Sequence, residues 1–213
     1  MKRLLFFPFF LMLTIVALFA GDSKYIDSMQ KHIHVLYTSK SNADLQQAVN
    51  SIERIANAEK TKWEPFYYVS FGYILMATRE SEGSKKDPYL DLAAASLEKA
   101  LALKKDDSEI VTLKGFVDMI RITVDPAVRG PQYSGLVELT YQKALSIKAN
   151  NPRALALLAQ MQLGTARFFN QIPTEACETA NKALQLFAGD HSDNPLAPQW
   201  GKEMTENMVK NCH

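Results

Sequence analysis

Three stretches, SLEKALALKKDD (96–107), YQKALSIKANNP (141–152) and NKALQLFAGDHSDNP (181–195), each write Lys-Ala-Leu, one further residue and a branched apolar residue, then a polar stop. With Ala100, Ala144 and Ala183 as markers, the positions seven and three residues earlier hold Ala93 and Leu97, Val137 and Tyr141, and Ala176 and Ala180. Residues at i, i+4 and i+7 share one face of a helix, so each stretch carries an apolar stripe that must be buried. Ala48, Ile52 and Ile55 form the same stripe in DLQQAVNSIERIANAEK (44–60). The markers Ile55, Ala100, Ala144 and Ala183 lie 45, 44 and 39 residues apart, a period suited to two-helix repeats.

A second register supports the first. Fifteen residues after Ala100 and Ala144 come Gly115 and Ala159, small residues that let the next helix approach its partner closely; after Ile55 the match is Gly72, displaced by two, and after Ala183 the offset reaches Pro198 and the pattern stops. Caps and breakers place helices at about 23–38, 42–59, 64–81, 88–104, 107–122, 134–148, 152–166, 174–187 and 197–211, with Asn42, Asp107 and Asn151 as N-caps and Pro65 and Pro152 in first turns. No run of alternating β-branched residues suggests a strand.

The arrangement resembles the tetratricopeptide repeat family. Tyr68, Phe71 and Gly72 lead into Ala93, Leu97 and Ala100; Val111, Lys114 and Gly115 into Val137, Tyr141 and Ala144; Leu155, Leu158 and Ala159 into Ala176, Ala180 and Ala183. The departures are the missing Trp of the first helix, the missing turn proline after Ala100 and periods longer than the family's. The resemblance covers about residues 42–187 and implies an all-α, right-handed solenoid of antiparallel helix pairs with capping helices at both ends. Helix 23–38, with Ile26, Met29, Ile33 and Leu36 on one face, and the C-terminal segment, with Trp200, Met204 and Met208, are the expected caps. Together with NPRALALLAQ (151–160), this ending is also similar to a group of exported bacterial repeat proteins.

The chain opens with Lys2 and Arg3, an apolar run from Leu4 to Ala20, and polar sequence from Gly21. That is the layout of a secretory signal peptide, expected to be cleaved after Ala20 and to leave a single domain over 21–213 with no membrane-spanning segment; an uncleaved anchor is the alternative. Of 24 basic side chains Lys2 and Arg3 are then lost against 23 acidic ones, so the mature chain is nearly neutral. It offers no basic footprint for nucleic acid. The expected location is exported, periplasmic or secreted, and there the two cysteines, Cys177 and Cys212, invite a disulfide; two separate thiols are the other reading.

Local chemistry is sparse. His32 and His34 sit about 200° apart on a helix and cannot chelate one ion, and no Cys-x-x-Cys, His-Glu-x-x-His or calcium loop accompanies them. Gly-x-Ser-x-Gly and phosphate-cradling glycine loops are absent, so no metal, cofactor or catalytic residue is assigned. The first helices of such repeats line the concave surface, and residues one and four places after each small residue, Tyr73 and Met76, Phe116 and Met119, Gln160 and Leu163, form a candidate partner groove. The bland alternative is that a terminal helix fills this face. TVDPAVRGPQYSG (123–135) reads as a candidate binding loop carrying Arg129 and Tyr133, or as a packed connector; RESEGSKKDP (79–88) reads as a mobile, solvated loop. Phe168 and Phe169, in RFFNQIPTE (167–175), are core or, if exposed, a sticky site. The expected function is a non-catalytic scaffold of the bacterial envelope binding a protein or peptide. The alternatives are an enzyme without a local motif acting on an envelope polymer, and a self-associating structural subunit.

Overall fold

The computed structural model describes residues 7–212, with side chains from Asp22 onward, so the leader expected over residues 1–20 lies outside the residues whose side chains are described. Among the described residues the chain is all helix: α1 (Phe7–Thr38), α2 (Asn42–Ala58), α3 (Glu64–Arg79), α4 (Gly83–Leu103), α5 (Ser108–Ile122), α6 (Pro126–Ile147), α7 (Pro152–Phe168), α8 (Thr174–Phe187) and α9 (Lys202–Lys210). Among those residues no helix is long and apolar enough to cross a membrane.

Three successive pairs, α3 with α4, α5 with α6 and α7 with α8, stack into a helical-repeat solenoid in which α3, α5 and α7 also touch one another as an inner row. The repeated stripe is the seam: Ala93, Leu97, Ala100, Val137, Tyr141, Ala144, Ala176, Ala180 and Ala183 are all buried. The small residues do what their register requires. A Cβ on Gly115 would stand 2.5 Å from the Tyr141 ring of the paired helix, and one on Gly72 would strike Val49 of α2. Asp107 and Asn151 cap α5 and α7 by accepting two backbone N–H bonds each. For α2 the cap is Ser41 rather than Asn42: its hydroxyl accepts from the Asp44 N–H.

Two segments differ from the sequence reading. Residues 79–88 and 123–135 are not long loops, because α4 begins at Gly83 and α6 at Pro126, giving helices of 21 and 22 residues. Pro88 and Pro131 each fall at the sixth helical position, where a proline forgoes one bond to the carbonyl four residues back without ending the helix. Pro126 occupies the first turn, its fixed φ suited to the start, and Asp125 caps it by accepting from the Val128 N–H. The two extensions hold each other. Arg129 donates from both terminal nitrogens to the Asp87 carboxylate at 2.7 and 2.6 Å, and Arg121 of α5 bonds Asp91 at 2.7 Å.

The C-terminal helix is shorter than expected. Gly201 has φ 105°, in the left-handed region, and α9 starts only after it, so residues 188–201 form an irregular strap. The strap lies across the inner row. Trp200 stacks on Phe71 at 5.4 Å and Phe116 at 5.9 Å between ring centres, and its indole N–H donates to the Tyr67 hydroxyl at 2.9 Å. Tyr68 donates to the Leu196 carbonyl at 2.8 Å, and the Gln199 N–H donates to the Tyr37 hydroxyl. Met208 of α9 packs on Ala159 and Ala180, and a Cys177–Cys212 disulfide, with Cα atoms 5.7 Å apart, fastens the end of α9 to α8.

Three outcomes test this packing. Gly115→Ala forces a methyl into the Tyr141 ring and lowers stability in urea unfolding by about 1–3 kcal/mol despite alanine's better helix propensity. Gly135→Ala, whose Cβ meets nothing within 4 Å, raises stability by up to about 1 kcal/mol. Replacing both cysteines by serine opens the loop between residues 35 apart and costs about 3–4 kcal/mol in the same measurement.

Candidate functional site

The candidate groove residues are split by the structure. Tyr73 and Met76 are packed into the core: Tyr73 stacks on Tyr89 of α4 and donates to Glu53 Oε1 at 3.1 Å, and Met76 is fully buried. Phe116 lies beneath Trp200. These three face neighbouring helices or the strap, because an inner row this apolar is covered by the chain's own C-terminal segment. Met119, Gln160 and Leu163, by contrast, come together in the wall of one pocket.

That pocket, of about 600 Å³, opens where the C-terminal turns of α5 and α7 meet the N-terminal half of α6. From α5 come Met119, Ile120 and Ile122, with Thr123 following the helix; from α6, Pro126, Gly130, Pro131 and Ser134; from α7, residues 160 and 161, 163–165, 167 and 168, with Phe169 following the helix. The extension of α6 read as a loop is therefore one wall of the site, in helical form. Arg129 and Tyr133 do not line it. Arg129 faces Asp87, whose carboxyl it holds below the usual range, and Tyr133 packs against the core.

The wall is chemically uniform. Gly130 and Gly164 both border the pocket, and a Cβ on either would meet nothing within 4 Å, so the missing side chains leave room for a ligand. The Met119 thioether accepts the Tyr141 hydroxyl at 3.7 Å, whereas Met161 is half-buried. Phe168 and Phe169 stand edge to face, 5.1 Å between centres, each 62 % exposed at the rim. They are surface, not core. Polar chemistry in the wall is limited to the hydroxyls of Thr123, Ser134 and Thr165, the Gln160 amide and the Arg167 guanidinium; no carboxylate, imidazole or thiol lines it.

Several of these residues escape the sequence reading, although a signal exists. Positions one and four after Ala159 give Gln160 and Leu163; continuing the same face reaches Gly164, Arg167 and Phe168. Adding the last turn of each inner helix brings the pocket into view.

A second cavity, of about 620 Å³, lies under the strap and is polar. Apart from exposed Asp106, its carboxylates and cations are paired with one another. Arg153, 3 % exposed, donates to Glu109 at 2.8 Å and to Asp190 of the strap at 2.6 Å, and Lys104 pairs with Asp107 at 2.8 Å. Burial pushes the Glu109 carboxyl up while Arg153 pulls it down, and the same carboxylate keeps Arg153 firmly cationic against its own burial. The paired charges are a clasp that holds the strap.

No protein-family model matches the chain, and no curated protein matches it. Among solved structures the chain is similar to the HusA haemophore from Porphyromonas gingivalis, with a TM-score of 0.79 and 26% identity over 88% of this chain and 92% of that one. It is also similar to a thermophilic TPR protein of Thermus thermophilus, with a TM-score of 0.51 and 14% identity over 92% of this chain and 94% of that one. The second likeness is one of fold alone, and it fits the helical-repeat solenoid described above.

Proposed function

We propose that the chain is an exported binding protein of the cell envelope that carries a flat, largely apolar cargo of the porphyrin class, haem included, in the pocket between α5, α6 and α7. The observation that carries this reading is the pocket itself: about 600 Å³, apolar around its wall and left open by two glycines. Its size falls within the range of small-molecule sites. Structural likeness to a haemophore over most of both chains supports a cargo of that class, and the Cys177–Cys212 bridge supports an oxidising compartment.

The donor set decides how such a cargo is held. Of the two thioethers in the wall, that of Met119 already accepts the Tyr141 hydroxyl, and that of Met161, half-buried against the core, is the soft donor that could reach a haem iron. Most of the affinity then comes from burying the ring, about 2.5 kcal/mol for every 100 Å² of apolar surface removed from water. A protein or peptide along the concave face, the other scaffold reading, would have to displace Trp200 and the strap. The proposed mode is binding without catalysis, since the wall offers none of the usual proton-transfer side chains.

The test is an absorbance titration of the purified oxidised chain with haemin. A saturable one-to-one spectral shift is expected, and Gly164→Leu, which fills the pocket where a side chain meets nothing, weakens it at least about tenfold, the equivalent of 1.4 kcal/mol, with no loss of thermal stability. A featureless titration, or a Gly164→Leu variant that binds as well as the parent, rules the pocket out.

A further inference from the structure

Within this pocket one helix face carries two polar side chains that the rest of the protein does not use. Gln160 and Arg167 are seven residues apart on α7, hence on the same face and about 10 Å apart along the axis. Among the described residues the Arg167 guanidinium makes no hydrogen bond or ion pair, in contrast to Arg121, Arg129 and Arg153, each of which holds a carboxylate. No acidic residue lines the pocket beside it. The Gln160 Oε1 atom is shielded from solvent yet has no hydrogen-bond partner. A buried acceptor left unmatched costs free energy comparable to a lost hydrogen bond, and of the buried unmatched side-chain atoms among the described residues only that of Gln160 lines this pocket, where a ligand donor would match it.

We infer that Arg167 and Gln160 are the polar recognition pair of the site: Arg167 takes an anionic carboxylate of the cargo at the mouth, and Gln160 Oε1 accepts an N–H or O–H on the periphery of the cargo further in. The inference rests on the reading of the pocket as a cargo site, and it narrows the ligand. The favoured cargo is a flat apolar body with an acidic edge and a donor roughly two helical turns away from it. The exposure of Arg167 suits this order, because a guanidinium at the entrance meets a carboxylate that stays partly in water, while the Phe168 and Phe169 rings cover the apolar body beside it. Charge opposes other ligands. A cationic amphiphile of the same size meets Arg167 with repulsion and finds no carboxylate in the wall.

Three metal-free probes separate the parts of this claim: protoporphyrin, with free carboxylates; its dimethyl ester, which keeps the ring but loses the negative charge; and haematoporphyrin, which keeps the carboxylates and carries peripheral hydroxyls where protoporphyrin has vinyl groups. All are titrated into the full oxidised chain from the same dilute detergent. Protoporphyrin is expected to bind about tenfold to a hundredfold more tightly than the diester, as one charge-assisted hydrogen bond provides, with the preference shrinking as salt is added. Arg167→Gln abolishes the preference and leaves diester affinity in place. Gln160→Met keeps the preference and lowers affinity for haematoporphyrin about two- to tenfold, the loss of one neutral hydrogen bond. Equal binding of protoporphyrin and its diester by the parent chain, or a preference that survives Arg167→Gln, overturns the role of Arg167; unchanged haematoporphyrin affinity in Gln160→Met overturns that of Gln160. If none of the probes binds the parent chain, the pocket reading falls and this inference with it. If they bind and Gly164→Leu blocks them without any diacid preference, the pocket stands and only the carboxylate assignment fails.

Discussion

The inner helices α3 and α5 are apolar around nearly their whole circumference, and that requirement shapes the rest of the molecule. A helix with buried residues at almost every position from Pro65 to Ala77, or from Ile110 to Ile120, needs neighbours on all sides. Pairing supplies part of the cover: α4 and α6 pack against these helices through stripes of Ala, Leu, Val and Tyr, and the inner helices touch one another. The remaining side, which would be the open concave surface of a longer superhelix, is closed by the strap. Trp200 fits between Phe71 and Phe116 in near-parallel stacks, and its indole N–H finds the hydroxyl of buried Tyr67. The polar ends of these aromatic groups are thereby matched where water is excluded.

Closing the concave face leaves a different apolar surface open. With Tyr73, Met76 and Phe116 committed to packing, the apolar surface left for a ligand is at the end of the inner row, where the last turns of α5 and α7 pass the lengthened start of α6. The lengthening is what makes a pocket there. Helix α6, which begins eleven residues before Val137 of its repeat stripe, could project that far without support only at a cost in fraying, and the fork from Arg129 to Asp87 ties it to the equally lengthened α4. A rigid helical wall holds its shape before the ligand arrives, so less ordering entropy is lost on binding than a flexible loop would lose.

The seam of the solenoid was readable in the chain because it obeys a local rule. Ala100, Ala144 and Ala183 recur with their partners at fixed helical offsets, and Gly115 sits where only a hydrogen can face Tyr141. The extended helices were not readable in the same way. Pro88, Pro131 and the glycines around them are ordinary turn signals, and only tertiary pairing such as Asp87 with Arg129 makes helix the better state. The strap is harder still, since its contacts join residues more than a hundred positions apart and obey no period: Tyr68 with Leu196, Tyr67 with Trp200. For the pocket, half of the relevant face was already in view as Met119, Gln160 and Leu163, and the other half lay in the next turn.

The disulfide between Cys177 and Cys212 has a topological consequence for the strap. Residues 188–201 lie inside the covalent ring that this bond closes, together with α9. In the oxidised chain the segment is therefore an arc anchored at both ends, and it cannot be peeled from the inner row by fraying from the C-terminus. Exchange of that segment between two copies, a common route to swapped dimers for terminal elements, would have to move the whole ring rather than a free terminal arm. Oxidation thus keeps each copy's Trp200 in its own seat, and a reducing environment is the condition under which copies become free to trade C-terminal arms.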